Sequence, residues 1–185
     1  MAADTRDRIL DALEAKLLRG GAASITLEAV AEEAKVSKGG LLYHFPGKEA
    51  LLLGAADRLE ERVRAQLRRV VDRGDSVSAW YLSTAQEAGQ SEEDLAVDRS
   101  VTAIMRALDG QFPELQRRMR RIMRTFDERI LAELGDPVLA EIVRLAGDGL
   151  YLAEIFGLEP PGASTTRRMR ERLLGGAGAA DAADR

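Results

Sequence analysis

Between Ile25 and Lys48 the chain reads ITLEAVAEEAKVSKGGLLYHFPGK, and no other stretch constrains the fold as strongly. Leu27, Val30, Ala31 and Ala34 recur at i, i+3, i+4 and i+7, the apolar stripe of a short helix. Thr26 stands where an N-cap belongs, and Ile25 and Val30 are spaced as a hydrophobic staple across it. The device repeats at once: Ser37 caps a second helix, with Val36 and Leu41 as the staple pair. Helices this short are marginal in water, so with only Lys35-Val36 between them they must pack on a third element. Two short capped helices around a tight turn are the sequence form of a helix-turn-helix, which lays its second helix in the DNA major groove.

Around this unit the chain offers only helices. Helix formers dominate, and no alternating run of β-branched residues is long enough to argue for a strand, so the class is all-α. At 185 residues there is length for a real core in one or two domains. There is no cysteine and one histidine, which excludes disulfides, thiol nucleophiles and the usual zinc sites; no cofactor and no enzyme activity are expected. Asp4, Arg6, Asp7 and Arg8 replace the apolar core of a signal peptide, and no apolar run reaches the length of a membrane span. A cytoplasmic protein with no membrane partner is the expectation.

The order Val36-Ser37-Lys38-Gly39-Gly40-Leu41-Leu42-Tyr43-His44-Phe45, then Gly47-Lys48-Glu49-Ala50-Leu51, closely resembles the TetR family of bacterial transcription regulators. The resemblance covers roughly residues 5 to 60; beyond them only length and helical character match. It implies an N-terminal three-helix helix-turn-helix DNA-binding domain over residues 1–47 (the motif itself about 26–45). A long fourth helix would join it to a helical ligand-binding and dimerisation domain over 48–174; the tail, 175–185, is rich in glycine and alanine and is expected to be disordered. It further implies a homodimer formed through the last two long helices, a double-stranded DNA operator and a small-molecule effector. The function expected is a ligand-responsive, homodimeric repressor on a palindromic operator. The alternative is a ligand- or protein-binding helical module whose DNA binding is degenerate.

Along the chain, a first helix is expected from about Thr5 to Arg19, with Ile9, Leu10, Leu13 and Leu17 inward and Gly20-Gly21 ending it. The fourth should run from near Lys48 to about Asp72, because Leu52, Ala56, Leu59, Val63, Leu67 and Val70 keep helical spacing for six turns. Further helices follow at about Ser76–Gly89, Glu92–Leu108 and Pro113–Leu134. Asp136-Pro137 then opens a helix to about Gly157 that is apolar almost all round and is expected to be buried on several sides, either as the central helix of a monomer core or, as the resemblance implies, partly by a second subunit. A last short helix spans roughly Ser164 to Leu174.

Net charge is −4, and residues 1–50 carry seven Lys and Arg against eight Asp and Glu, so the domain as a whole is not basic. From Lys35 to Lys48, however, there are three lysines and no acids. The candidate DNA contacts are Thr26, Ser37, Lys38, Gly39, Gly40, Tyr43, His44 and Lys48. The hydroxyls, lysines, phenol and imidazole suit phosphate oxygens, Lys38 also suits a guanine edge, and the paired glycines admit close backbone approach. Many TetR family members carry a DNA-contacting tyrosine where this chain has Leu42, so Tyr43 is the candidate to take over, unless it packs on the first helix. For the effector, Trp80, Tyr81, Met105, Phe112, Met119, Met123 and Phe126 are candidate lining residues, with ordinary core as their other reading. The run Arg117 to Arg124 reads as the solvated or salt-bridged side of a helix whose apolar stripe is Leu115, Met119, Ile122, Met123, Phe126 and Ile130.

Overall fold

A computed structural model describes residues 2–83, 91–108 and 111–175. Every regular element among them is helical: α1 (Ala2–Gly20), a 3-10 turn (Ala22–Ser24), α2 (Leu27–Glu33), α3 (Lys38–His44), α4 (Lys48–Asp72), α5 (Val77–Tyr81), α6 (Glu92–Met105), α7 (Pro113–Leu134), α8 (Pro137–Ile155) and α9 (Ala163–Gly175). The helix expected from Ser76 is seen as α5. Most of its expected second half, and the tail expected after Leu174 apart from Gly175, lie outside the described residues. No described helix is long and apolar enough to cross a membrane.

The chain divides into two compact units that do not follow chain order: residues 1–63 with 92–122, and 64–91 with 123–185. In the first, α1 packs on α2 and on α6. Its inward residues Ile9, Leu10, Leu13 and Leu17 are fully buried, as are Val30 of α2 and Leu41 of α3. Phe45 closes the core beside them, with the Arg6 guanidinium 5.5 Å from its ring centroid. Gly54, on α4, exists for this ring: a Cβ there would lie 2.4 Å from Phe45 Cε1. All six apolar positions expected to face inward along α4 are buried.

The first unit also buries charge. Glu14 lies on the Leu10–Leu17 face of α1, where its carboxylate accepts from Ser100 Oγ at 3.0 Å and sits 2.8 Å from Arg58 Nη2. Arg58 Nη1 donates to Asp11 at 2.8 Å, and Arg62 Nη1 to Ser100 Oγ at 2.5 Å. A buried charge needs such partners, and removing one from a buried pair typically costs about 3–5 kcal/mol. This cluster therefore fastens α1 to α4 and α6.

In the second unit α5 packs on α8 and α9. Ser76 and Asp136 cap α5 and α8 through their side chains, Asp136 accepting from both Val138 N and Leu139 N. Gly147 lets α8 meet α5 closely, since a Cβ there would fall 2.2 Å from the Tyr81 ring and 2.8 Å from its carbonyl oxygen. Within the single chain α8 buries one face only, through Ala140, Val143, Gly147 and Leu150. Val138 (68% exposed), Ile142 (46%) and Leu145 (56%) face outward.

Candidate DNA-binding site

The helix-turn-helix is held by local bonds that its residue types dictate. Thr26 Oγ1 accepts from Ala29 N at 3.1 Å and Ser37 Oγ from Gly40 N at 3.0 Å, so both hydroxyls cap as expected. Between the helices Lys35 takes φ +54°, a left-handed conformation that favours glycine. Lys35 N donates to Glu32 O and Val36 N to Ala31 O, the paired reverse bonds that close a helix end. Arg8 Nη2 reinforces the turn from α1, donating to Ala34 O at 2.7 Å and Lys35 O at 3.2 Å.

This bracing presents one side of α3 to solvent. Tyr43 is 85% exposed, which excludes packing on α1, and its ring meets His44 edge-on at 5.2 Å. Leu42 also faces outward, while Leu41 and Phe45 turn inward. Around Gly39 the nearest atom to an added Cβ is Ser37 Oγ at 4.0 Å, so nothing within the chain requires glycine there. Lys38 Nζ lies 2.6 Å from Glu28 Oε1 of α2, an exposed ion pair. Lys48 is engaged within the chain: its Nζ donates to Ala22 O at 2.9 Å and lies 5.9 Å from the Phe112 ring centroid. Thr26, Ser37, Lys38, Gly39, Gly40, Tyr43 and His44 thus fall on α2, α3 and their caps, with Lys48 opening α4 behind them.

The candidate effector residues divide between the units. Met105, Phe112 and Met119 belong to the first; Trp80, Tyr81, Met123 and Phe126 belong to the second. There Trp80 stacks on Phe126 (6.2 Å between centroids) and Tyr81 meets the same ring at 5.3 Å. Tyr81 Oη donates to Asp148 Oδ1 at 2.5 Å, and Arg144 Nη1 holds the other oxygen at 2.8 Å. Burial, with Asp148 adding to it, pushes the Tyr81 phenol far up, so it stays a neutral donor. Burial likewise raises the Asp127 carboxyl, with Arg144 opposing. The arginines of α7 are salt-bridged where they face the first unit's acids: Arg118 to Asp57 and Arg121 to Glu60.

Two residues were not singled out by sequence reasoning: Arg8, which braces the turn of this site, and Glu14, in the ion cluster between α1, α4 and α6. Arg8 could not be found, because its carbonyl partners lie 26 and 27 positions away. Glu14 left a signal, an acid on the apolar face between Leu10 and Leu17.

Comparison with known proteins agrees with this geometry. Residues 9–55 match the family described as "Bacterial regulatory proteins, tetR family", and residues 75–177, more than half of the chain, match "Tetracyclin repressor-like, C-terminal domain". The nucleoid occlusion factor SlmA of a Marinomonas species is 30% identical over 158 residues, spanning 85% of this chain and 75% of that protein. The HTH-type transcriptional repressor KstR of Mycolicibacterium smegmatis is 42% identical over 66 residues, 36% of this chain and 32% of that one. Among solved structures, a TetR family member of Streptomyces coelicolor superposes with TM-score 0.68 at 22% identity, covering 91% of this chain and 97% of that one. NalD, the secondary repressor of the MexAB-OprM multidrug efflux pump in Pseudomonas aeruginosa, does so with TM-score 0.62 at 21% identity, covering 96% of each chain. With an exposed, braced α3 and both domain matches in chain order, this chain belongs to the TetR family of DNA-binding transcription regulators.

Proposed function

We propose that the protein is a homodimeric, ligand-responsive repressor whose paired α3 helices read a palindromic operator. The observation that carries this reading is Tyr43, an aromatic residue held 85% exposed on a helix whose Leu41 is fully buried, with Phe45 buried at its end. Tyr43 and His44 suit phosphate oxygens, Lys38 suits phosphate or guanine, and Thr26 and Ser37 add hydroxyls at the flanks. Glycine at 39 and 40 costs up to about 1 kcal/mol each in a helix, and close backbone approach to DNA gives that cost a purpose. Lys48 contributes by fixing the start of α4 to Ala22 as well as by its charge. In a two-fold dimer the two α3 helices would enter successive major grooves about 34–36 Å apart.

Dimerisation is supported by α8. Val138, Ile142, Leu145, Gly149, Leu152 and Phe156 alternate at spacings of four and three, the pattern of a coiled-coil seam, and the chain itself leaves Val138, Ile142, Leu145 and Phe156 exposed and Leu152 half-buried. For the effector, the half-buried rings of Trp80 and Tyr81, packed on the buried Phe126, are the candidate apolar cluster of the second unit. Met123 is the remaining candidate there, and Met105, Phe112 and Met119 are those of the first unit. α4 belongs to both units without a break, so an effector that favours one arrangement of α4 would shift the population away from operator binding.

The test is titration into duplex DNA from upstream of the protein's own gene at several salt concentrations. Nanomolar binding with a protected inverted repeat is expected, and Tyr43→Ala should weaken it roughly tenfold with an unchanged melting temperature. Micromolar binding indifferent to sequence would favour a helical binding module with degenerate DNA contacts.

A further inference from the structure

The DNA-facing surface contains an acid that no contact to DNA explains. Glu28 and Lys38 stand in the first turns of α2 and α3, their charges 2.6 Å apart and their side chains 63% and 57% exposed. The hydrogen bond from Lys38 holds the Glu28 carboxyl below the usual carboxylate range, so Glu28 is a carboxylate near neutrality. Lys35 to Lys48 contains no acid of its own, and Lys38 is the one lysine within α3. On α2, Glu33 turns instead to Arg19 (2.7 Å) and Lys16 (3.9 Å) of α1. Glu28 is thus a carboxylate of α2 paired with the recognition helix, on the face proposed to meet a polyanion.

Non-specific DNA binding is almost wholly the release of counterions as lysines and arginines meet phosphate. A lysine already paired with a carboxylate must first give up that partner and adds little to this term. A fully docked site differs, because a guanine edge or a phosphate fixed in register can replace the carboxylate with good geometry. We infer that Glu28 is a specificity-determining residue: it masks Lys38 from phosphate in loose complexes and yields it only in the docked one. The masking lowers affinity for every duplex, and lowers it most for the wrong ones, which widens the ratio between them.

This inference rests on α2 and α3 facing DNA, and the experiment separates the two. Full-length protein and Glu28→Gln are titrated, across a range of salt, into a short duplex of arbitrary sequence and into the duplex protected upstream of the gene. In Glu28→Gln, binding to the arbitrary duplex should tighten on the order of tenfold, with the slope of log K against log salt steeper by about one. The protected duplex should tighten less, so discrimination falls. Placing Glu28→Gln in a Lys38→Met background should abolish the gain. Glu32→Gln, which removes an equal charge one turn along α2, should leave the slope unchanged. An unchanged slope in Glu28→Gln overturns the masking. So does an equal gain in the Lys38→Met background or in Glu32→Gln, which would make Glu28 merely one repelling charge. A wild-type protein that binds neither duplex refutes the DNA reading itself.

Discussion

The outer faces of α3 and α8 are both turned to water in the single chain, and their chemistry is opposite. α3 shows Lys38, Gly39, Tyr43 and the cap hydroxyl of Ser37, with Leu41 and Phe45 turned inward and Leu42 its one outward aliphatic side chain. α8 shows Val138, Ile142 and Leu145, continued past its end by Phe156. A polar face is stable in water and is suited to a wet, charged partner such as a phosphate backbone. An apolar seam of this length is not comfortable there, because each large aliphatic side chain gains about 1.5–3 kcal/mol on full burial. The chemistry of the one surface suits DNA, and that of the other suits protein.

The most direct way to break this comparison is a charge in the seam. Leu145→Glu places a carboxylate at an exposed position, so the isolated chain should fold with its melting temperature little changed. If α8 is the dimer contact, the dissociation constant should rise at least 100-fold, about 2.7 kcal/mol, measured by sedimentation. Operator binding should fall with it. A Leu145→Glu protein that remains dimeric would move the interface elsewhere.

Two glycines on α8 sharpen the point. Gly147 faces inward against the Tyr81 backbone, whereas an added Cβ at Gly149 meets nothing within 4 Å. Gly147→Ala should destabilise by about 1–3 kcal/mol, since a carbonyl cannot move aside as a flexible side chain can. Gly149→Ala in the Leu145→Glu background should instead stabilise by up to about 1 kcal/mol, the ordinary helix preference of alanine. If α8 is the dimer contact, that gain should vanish in the wild-type protein, because the methyl group would then meet the partner's helix. Equal gains in both backgrounds, read from urea midpoints, would place Gly149 outside the contact.

The same contrast separates what was legible in the residues from what was not. Thr26, Ser37 and Asp136 were readable as caps, and the α4 stripe from Leu52 to Val70 as buried, because both depend on neighbours within a few positions. Lys48 was readable as a cation at a helix start; its bond to Ala22 O spans 26 positions and leaves no local trace. α8 reads as apolar almost all round, but periodicity cannot tell which side the chain covers itself; the structure buries only the Val143–Gly147–Leu150 side. The ion cluster at Glu14 was half legible: the acid on an apolar face announces a partner, but Arg58 and Ser100 come from 44 and 86 positions away.

Lys35 is the smallest effect and a test of how rigid the DNA-reading region needs to be. Its φ of +54° is one that glycine adopts freely and lysine does not, and nothing in Lys35-Val36 as sequence signals it. The conformation persists because the bonds from Lys35 N, Val36 N and Arg8 over-determine it. Lys35→Gly relieves the strain while enlarging the freedom of the unfolded chain, so the net gain should be modest, about 0.5–1 kcal/mol in a urea titration. Arg8→Ala should remove the brace and unload the turn, and Lys35→Gly should then recover more than it adds to the wild type. If instead the two substitutions act independently, the Arg8 bonds do not hold Lys35 in place, and the turn that aims α3 is set by the two helices alone.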